Sequence, residues 1–131
     1  MKDLRFLADR LRVAPFHQWL DLRLVSADGD GVAIEMAWRS EIVSRSEPSI
    51  MHGGVVSALI DVAGLYAVLA AGGAASGTAY LHVDFHRAVP PGPVTVRGRA
   101  VKLGRRISIS EAEVICGENE IFASGRGGYF A

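Results

Sequence analysis

Cysteine occurs once, at Cys116, which excludes a disulfide framework within one chain and a cysteine-based metal site. Neither sign of charge is in excess: Lys plus Arg and Asp plus Glu number 14 each, so no global field draws the chain to nucleic acid, an anionic membrane or an acidic partner. Internal repeats, low-complexity tracts and linkers are lacking. The 131 residues, half of them hydrophobic, suit a single domain (1–131) in which 1–19 form an N-terminal helix and connector. The opening MKDLRFLADRLRV has no continuous apolar run, so it does not read as a secretory signal, and a reducing cytoplasm is the expected setting. Phosphate loops are missing as well. Neither GGAASG nor GRGG ends in Gly-Lys-Ser/Thr or sits between a strand and a helix.

What the chain does have is Met51 to Gly73, MHGGVVSALIDVAGLYAVLAAGG, a helix apolar on nearly every face. Such a helix is either wrapped by its own protein or spans a membrane. An aspartate near the midpoint, two opening glycines and the absence of flanking Lys/Arg clusters all speak against the membrane. A central helix from about His52 to Ala71, buried in a soluble domain, is the expectation.

Before it, Leu4, Leu7 and Leu11 recur at helical spacing with Phe6 beside them, among Lys2, Asp3, Arg5, Asp9, Arg10 and Arg12. Pro15 is expected to end this amphipathic helix, leaving PFHQWL as an aromatic connector whose Phe16, His17 and Trp19 line a pocket or, the favoured reading, fill a corner. The period then becomes two. Leu20, Leu22 and Leu24, the DGDG turn, and Val32, Ile34, Met36 and Trp38 predict a hairpin with one buried face, and Ser40 to Ser49 predicts a loop. After the helix come strands at Thr78 to Val89, Val94 to Leu103, Ile107 to Cys116 and Ile121 to Phe130, divided by PPGP, Gly104 and GENE. Short turns imply antiparallel neighbours. The pattern predicts an α+β fold, an antiparallel sheet of five or six strands curled around the helix.

Chemistry concentrates on that helix. His52-Gly53-Gly54 opens it, where unpaired N–H groups and the absence of side chains make Gly53 and Gly54 candidate oxyanion donors; on spacing alone, tight packing of the helix end is the favoured reading. Asp61 stands among Ala58, Leu59, Ile60, Val62 and Ala63, an expected loss of water that would prepare it as a base or nucleophile. A metal site is not expected: His52 lies nine residues before Asp61, off ligand spacing, and His82 and His86 share strand parity without acidic or cysteine company, reading as solvent-facing. Eight residues of helix put Gly53 and Asp61 about 12 Å apart. They cannot both grip one carbonyl. If both serve one reaction, donor and carboxylate come from different subunits of a symmetric dimer.

The run HGGVVSALIDVAGLYAV resembles the signature of hotdog-fold acyl-CoA thioesterases of the phenylacetate-pathway (PaaI-like) group, in which HGG opens the central helix and an acidic residue follows nine positions after the histidine. The likeness extends through TAYLHVDFHRAVPPGPVTVRGRAVKLGRRISISEAEVI and covers most of the chain from about Leu20. It implies the hotdog fold, a sheet wrapped round the helix, pairing into a dimer with a continuous sheet that is commonly doubled to a tetramer. It also implies that Gly53 N–H meets the thioester oxygen, that Asp61 serves from the facing subunit, and that Thr78, at the start of the following strand, assists the acid or its water. Many members carry asparagine six residues before the histidine, where this chain has Ser46, a residue of shorter reach.

The sequence therefore reads as a thioesterase acting on acyl-CoA with no metal or redox cofactor. His52 orients the helix start, Gly54 and Leu65 line the site, and Arg87, Arg105 and Arg106 are loop-borne candidates for the CoA phosphates. Two alternatives stand beside it, a non-catalytic acyl-CoA binding module and an acyl-thioester hydratase or dehydratase on the same fold.

Overall fold

Asp3 opens the first helix, α1 (Leu4–Leu11), by accepting the Phe6 N–H on its carboxylate at 2.8 Å. The computed structural model describes residues 3–131, so Lys2 lies outside the described residues. Leu7 and Leu11, one turn apart, are fully buried, whereas Leu4 and Phe6 face outward. Pro15 does not merely end this helix. It occupies the first position of a second, α2 (Pro15–Trp19), where its missing N–H forfeits no helical bond. PFHQWL is therefore helical rather than an irregular connector, and Phe16 and Trp19 stay 49% and 43% exposed instead of filling a corner. His17 is the inward member, with Nδ1 2.8 Å from the Leu11 carbonyl oxygen and its ring edge-on to Tyr66.

Leu20 and Leu22 are buried, yet not in a strand. Their N–H groups donate back to the Phe16 and His17 carbonyls, which holds the helical exit and delays β1 to Arg23–Asp28. The Asp28 carboxylate accepts the Asp30 and Gly31 N–H groups at 2.8 and 3.2 Å, and this turns the chain into β2 (Gly31–Met36), where Val32, Ile34 and Met36 point inward. Residues 40–49, expected as a loop, instead carry a single helical turn (Ser40–Ile42) and a separate small hairpin, β3 (Val43–Ser46) with β4 (Ser49–Met51). Its short strands alternate no apolar residues, so periodicity could not reveal them. Met51 and His52 N–H groups donate to the Val89 and Ile42 carbonyls at 2.9 and 2.7 Å and so fix the entry to the next helix.

That helix, α3 (Gly53–Ala70), has 18 residues, and by length and composition it alone among the described helices could cross a membrane. Here it is sheathed by strands instead. β5 (Gly77–Phe85), β6 (Val94–Lys102), β7 (Ile107–Cys116) and β8 (Glu120–Phe130) complete a six-stranded antiparallel sheet in the order β1-β2-β6-β7-β8-β5. β5 stops at Phe85, short of the expected Val89, because the His86 and Arg87 N–H groups both turn to the Phe122 carbonyl. Inward positions Val96, Ser110, Ala112, Val114, Ala123 and Tyr129 face the helix. The outward face of the same strands is charged: Arg97 pairs with Glu113 at 3.3 Å, and Glu111 receives Arg99 at 3.4 Å and Arg126 at 3.0 Å, each pair in register across neighbouring strands. Screened by water, these pairs specify register more than stability.

The helix comes very near the sheet at Gly98, where a Cβ would lie 2.5 Å from the Ala63 carbonyl oxygen. Backbone cannot yield there. Gly98→Ala is expected to lower stability by about 1–3 kcal/mol through overpacking, read as a lower urea midpoint at unchanged slope. Gly77→Ala, with open space around it, should leave the midpoint near wild type.

Candidate active site

His52 caps α3: its Nδ1 accepts the Gly54 N–H at 2.8 Å. The two glycines predicted as oxyanion donors are thereby separated. Gly54 spends its N–H on His52, whereas the Gly53 N–H meets no acceptor among the described residues. Gly53 is the open donor. The Phe85 ring lies beside it, 3.5 Å from where a Cβ would stand, and is itself 55% exposed. The sequence marks Phe85 only as part of the Thr78 to Val89 strand, because its contact depends on how β5 passes the helix start.

Asp61 occupies the one stripe of α3 that the chain's own sheet leaves partly open, together with Gly54, Ser57, Ala58 and Leu65. The expected enclosure among Leu59, Ile60, Val62 and Ala63 is corrected here. Those neighbours in sequence project to other faces of a helix of 3.6 residues per turn, and Asp61 is half-buried rather than surrounded. Its carboxylate has a partner in its own chain. Thr78 Oγ1, at the start of β5, donates to Asp61 Oδ1 at 2.7 Å. Behind it, the Tyr129 phenol donates to the Asp61 main-chain carbonyl at 3.2 Å. Leu65 sits one turn further along the open stripe.

The remaining predicted residues are dispersed. Ser46 is exposed in β3 opposite Ser49, three residues from His52 and thus roughly 10 Å away along the strand, so one chain does not bring it to Gly53. Arg87 lies at the Gly53 end of α3, paired with Glu120 and stacked over the Phe122 ring at 5.4 Å. Arg105 and Arg106 are exposed in the β6–β7 turn near Gly73, at the other end of a helix about 27 Å long. The three arginines do not converge within a chain. A concavity of about 620 Å³ lies elsewhere, across the charged outward face of the sheet by Asp28, Arg97, Glu111 and Arg126, and touches neither Gly53 nor Asp61.

Among the described residues no group of three or more His, Cys, Asp or Glu could hold a metal ion. His82 and His86 are both exposed and look to separate partners, Asp84 at 3.1 Å and Ser124 at 2.8 Å.

A long helix laid into a six-stranded antiparallel sheet, with a carboxylate on its open stripe and a free amide at its start, defines a hotdog-fold protein. Residues 49–123, which include Gly53, Asp61 and Thr78, match the thioesterase superfamily, and the chain belongs to that superfamily. A solved structure from the thioesterase superfamily is 31% identical with a TM-score of 0.91, covering 98% of this chain and 97% of its own. The Escherichia coli PaaI protein from the phenylacetic acid degradation operon shares the fold at 20% identity, with a TM-score of 0.79 over 97% of this chain and 92% of its own. A Saccharolobus solfataricus protein provisionally named an esterase is 23% identical over 114 residues, 86% of this chain and 80% of its own length.

Cys116, the other conceivable nucleophile, is a partly buried free thiol. Partial burial, and then the nearby Glu120 charge, push its thiol up from the ordinary value and keep it protonated near neutrality. Alkylation by iodoacetamide at pH 8 should run more slowly than for free cysteine, and Cys116→Ser should retain full thioester hydrolysis.

Proposed function

We propose that this chain hydrolyses acyl-CoA thioesters in sites shared between two subunits. The observation that carries the reading is the pairing of a Thr78-bound Asp61 on the open stripe of α3 with an unengaged Gly53 N–H at the start of the same helix. They are eight residues, about 12 Å, apart, too far to act on one carbonyl. A two-fold arrangement of helices brings the Gly53 end of one subunit to Asp61 of the other. β5 supports such a dimer, since it is an edge strand of nine residues with exposed Tyr80 and Phe85 and neither proline nor lysine to blunt it. Doubling of the dimer to a tetramer is part of the same reading.

In the reaction, Gly53 N–H stabilises negative charge on the thioester oxygen while Asp61 attacks the carbonyl carbon or takes a proton from attacking water. Thr78 orients the carboxylate and the CoA thiol leaves, taking up the proton that water gives; where Asp61 has itself attacked, water then hydrolyses the acyl–aspartyl anhydride, and by either route the free acid is released and the Asp61 carboxylate restored. Leu65 and Phe85 suit the acyl side, and Arg87 suits a CoA phosphate at the Gly53 end. No resident metal or redox cofactor takes part. A hydratase would need His52 as a base, but its Nδ1 lone pair is engaged by Gly54 and the proton therefore sits on Nε2.

Thiol release from a panel of acyl-CoAs tests the chemistry. Asp61→Asn is expected to cut kcat by about 10²–10⁴, and rates equal to wild type would remove Asp61 as the acting group. Tight binding by wild type with no release on any substrate would favour a binding module. Subunit sharing is tested with Gly53→Pro, which deletes the N–H at a helix position that tolerates proline. Each single variant should be inactive alone, and re-equilibrated mixtures of Gly53→Pro with Asp61→Asn should regain about a quarter of wild-type activity, because half the dimers then hold one intact site. Mixtures as inactive as their components would sink the shared site.

A further inference from the structure

Tyr129, near the end of β8, is 0% exposed and is the largest fully buried side chain among the described residues. Its hydroxyl occupies space that two glycines leave free: a Cβ on Gly64 would lie 2.2 Å from the phenol oxygen, and one on Gly127 would lie 2.4 Å from it. A phenylalanine would fill the same slot without a polar atom to satisfy, and in a dry core that atom needs a partner. Its partner is the residue that bears the acid, through the 3.2 Å bond to the Asp61 carbonyl.

Thr78 and Tyr129 are register partners across β5 and β8, so their side chains leave the sheet on the same face. Both hydroxyls reach residue 61, Thr78 at the carboxylate and Tyr129 at the main chain. Burial, and then the neighbouring Asp61 carboxylate and Tyr80 phenol, keep the Tyr129 phenol protonated far above neutrality. It is a fixed donor. A second hydroxyl, Ser110, makes the same type of bond one turn on, donating to the Gly64 carbonyl at 2.7 Å without touching Asp61.

We infer that Tyr129 is a positioning residue for Asp61: with its register partner Thr78 it forms a two-hydroxyl clamp that fixes the rotation of α3 at residue 61 and so aims the carboxylate. The inference rests on the proposed acyl-CoA hydrolysis and adds to it a residue that acts only through Asp61.

The test is thiol release by Tyr129→Phe, Ser110→Ala, Asp61→Asn and the Asp61→Asn/Tyr129→Phe double variant, with urea midpoints to account for stability. Tyr129→Phe should lose about tenfold in kcat with KM within about twofold of wild type, and should cause no further loss in the Asp61→Asn background. Ser110→Ala, which forfeits a comparable buried bond, should keep kcat within about twofold. An unimpaired Tyr129→Phe beside an inactive Asp61→Asn overturns the inference alone. So does a Ser110→Ala loss as large as that of Tyr129→Phe, or an undiminished Tyr129→Phe effect in the Asp61→Asn background. An Asp61→Asn protein at the wild-type rate, or a wild type that releases no thiol, overturns the proposed function and this inference with it.

Discussion

Everything in this protein depends on enclosing one helix that is apolar on almost every face. Exposed to water, α3 would forfeit the burial of Val56, Leu59, Ile60, Val68 and their neighbours, each worth about 1.5–3 kcal/mol for the larger side chains. A curled antiparallel sheet encloses such a cylinder, but only if strand backbone approaches helix backbone. Gly98 allows that approach beside Ala63, and Gly64 and Gly127 open a slot where Tyr129 can reach the helix. The sheet covers all of α3 except a stripe, and the only carboxylate on the helix lies on that stripe.

Hydroxyl groups do the polar work inside this apolar wrap. Ser110 and Tyr129 bond to carbonyls of successive turns of α3, and Thr78 bonds to the Asp61 carboxylate. These bonds carry direction, which hydrophobic burial does not. At the helix start the same economy applies. His52 takes the Gly54 N–H and leaves the Gly53 N–H as the donor facing out. The Gly53 N–H and the Asp61 carboxylate are then rigid features of one helix, about 12 Å apart.

Much of this was legible from residue pattern. The central helix was read as 52–71 and observed as Gly53–Ala70, and β6, β7 and β8 fall within a residue or so of the runs expected between the PPGP, Gly104 and GENE turns. Alternation succeeds in β6, whose Val94, Val96 and Gly98 are dry while Arg97 and Arg99 are wet. It failed at Leu20 and Leu22, which are dry for another reason: they sit in the exit turn of α2, where period two arises without a strand. Pro15 misled in the same way, since a proline that cannot continue a helix is well suited to begin one. The short hairpin at Val43–Met51 carries no apolar alternation at all and left no mark for periodicity to detect.

For the site, the sequence alone determined which groups exist, that Gly53 and Asp61 are too far apart along one helix to meet, and that no cysteine cluster competes with them. Those are consequences of covalent spacing and of composition, which any fold must respect. Tertiary structure decided the rest: that Asp61 lies at an open stripe and not in a closed core, that His52 occupies Gly54 and frees Gly53, that Thr78 and Tyr129 meet the same residue from adjacent strands, and that Ser46 and the three arginines stay apart. The physical reason is that the Thr78 and Tyr129 contacts join residues 17 and 68 apart in sequence, where strand register and helix rotation set distance and linear spacing does not.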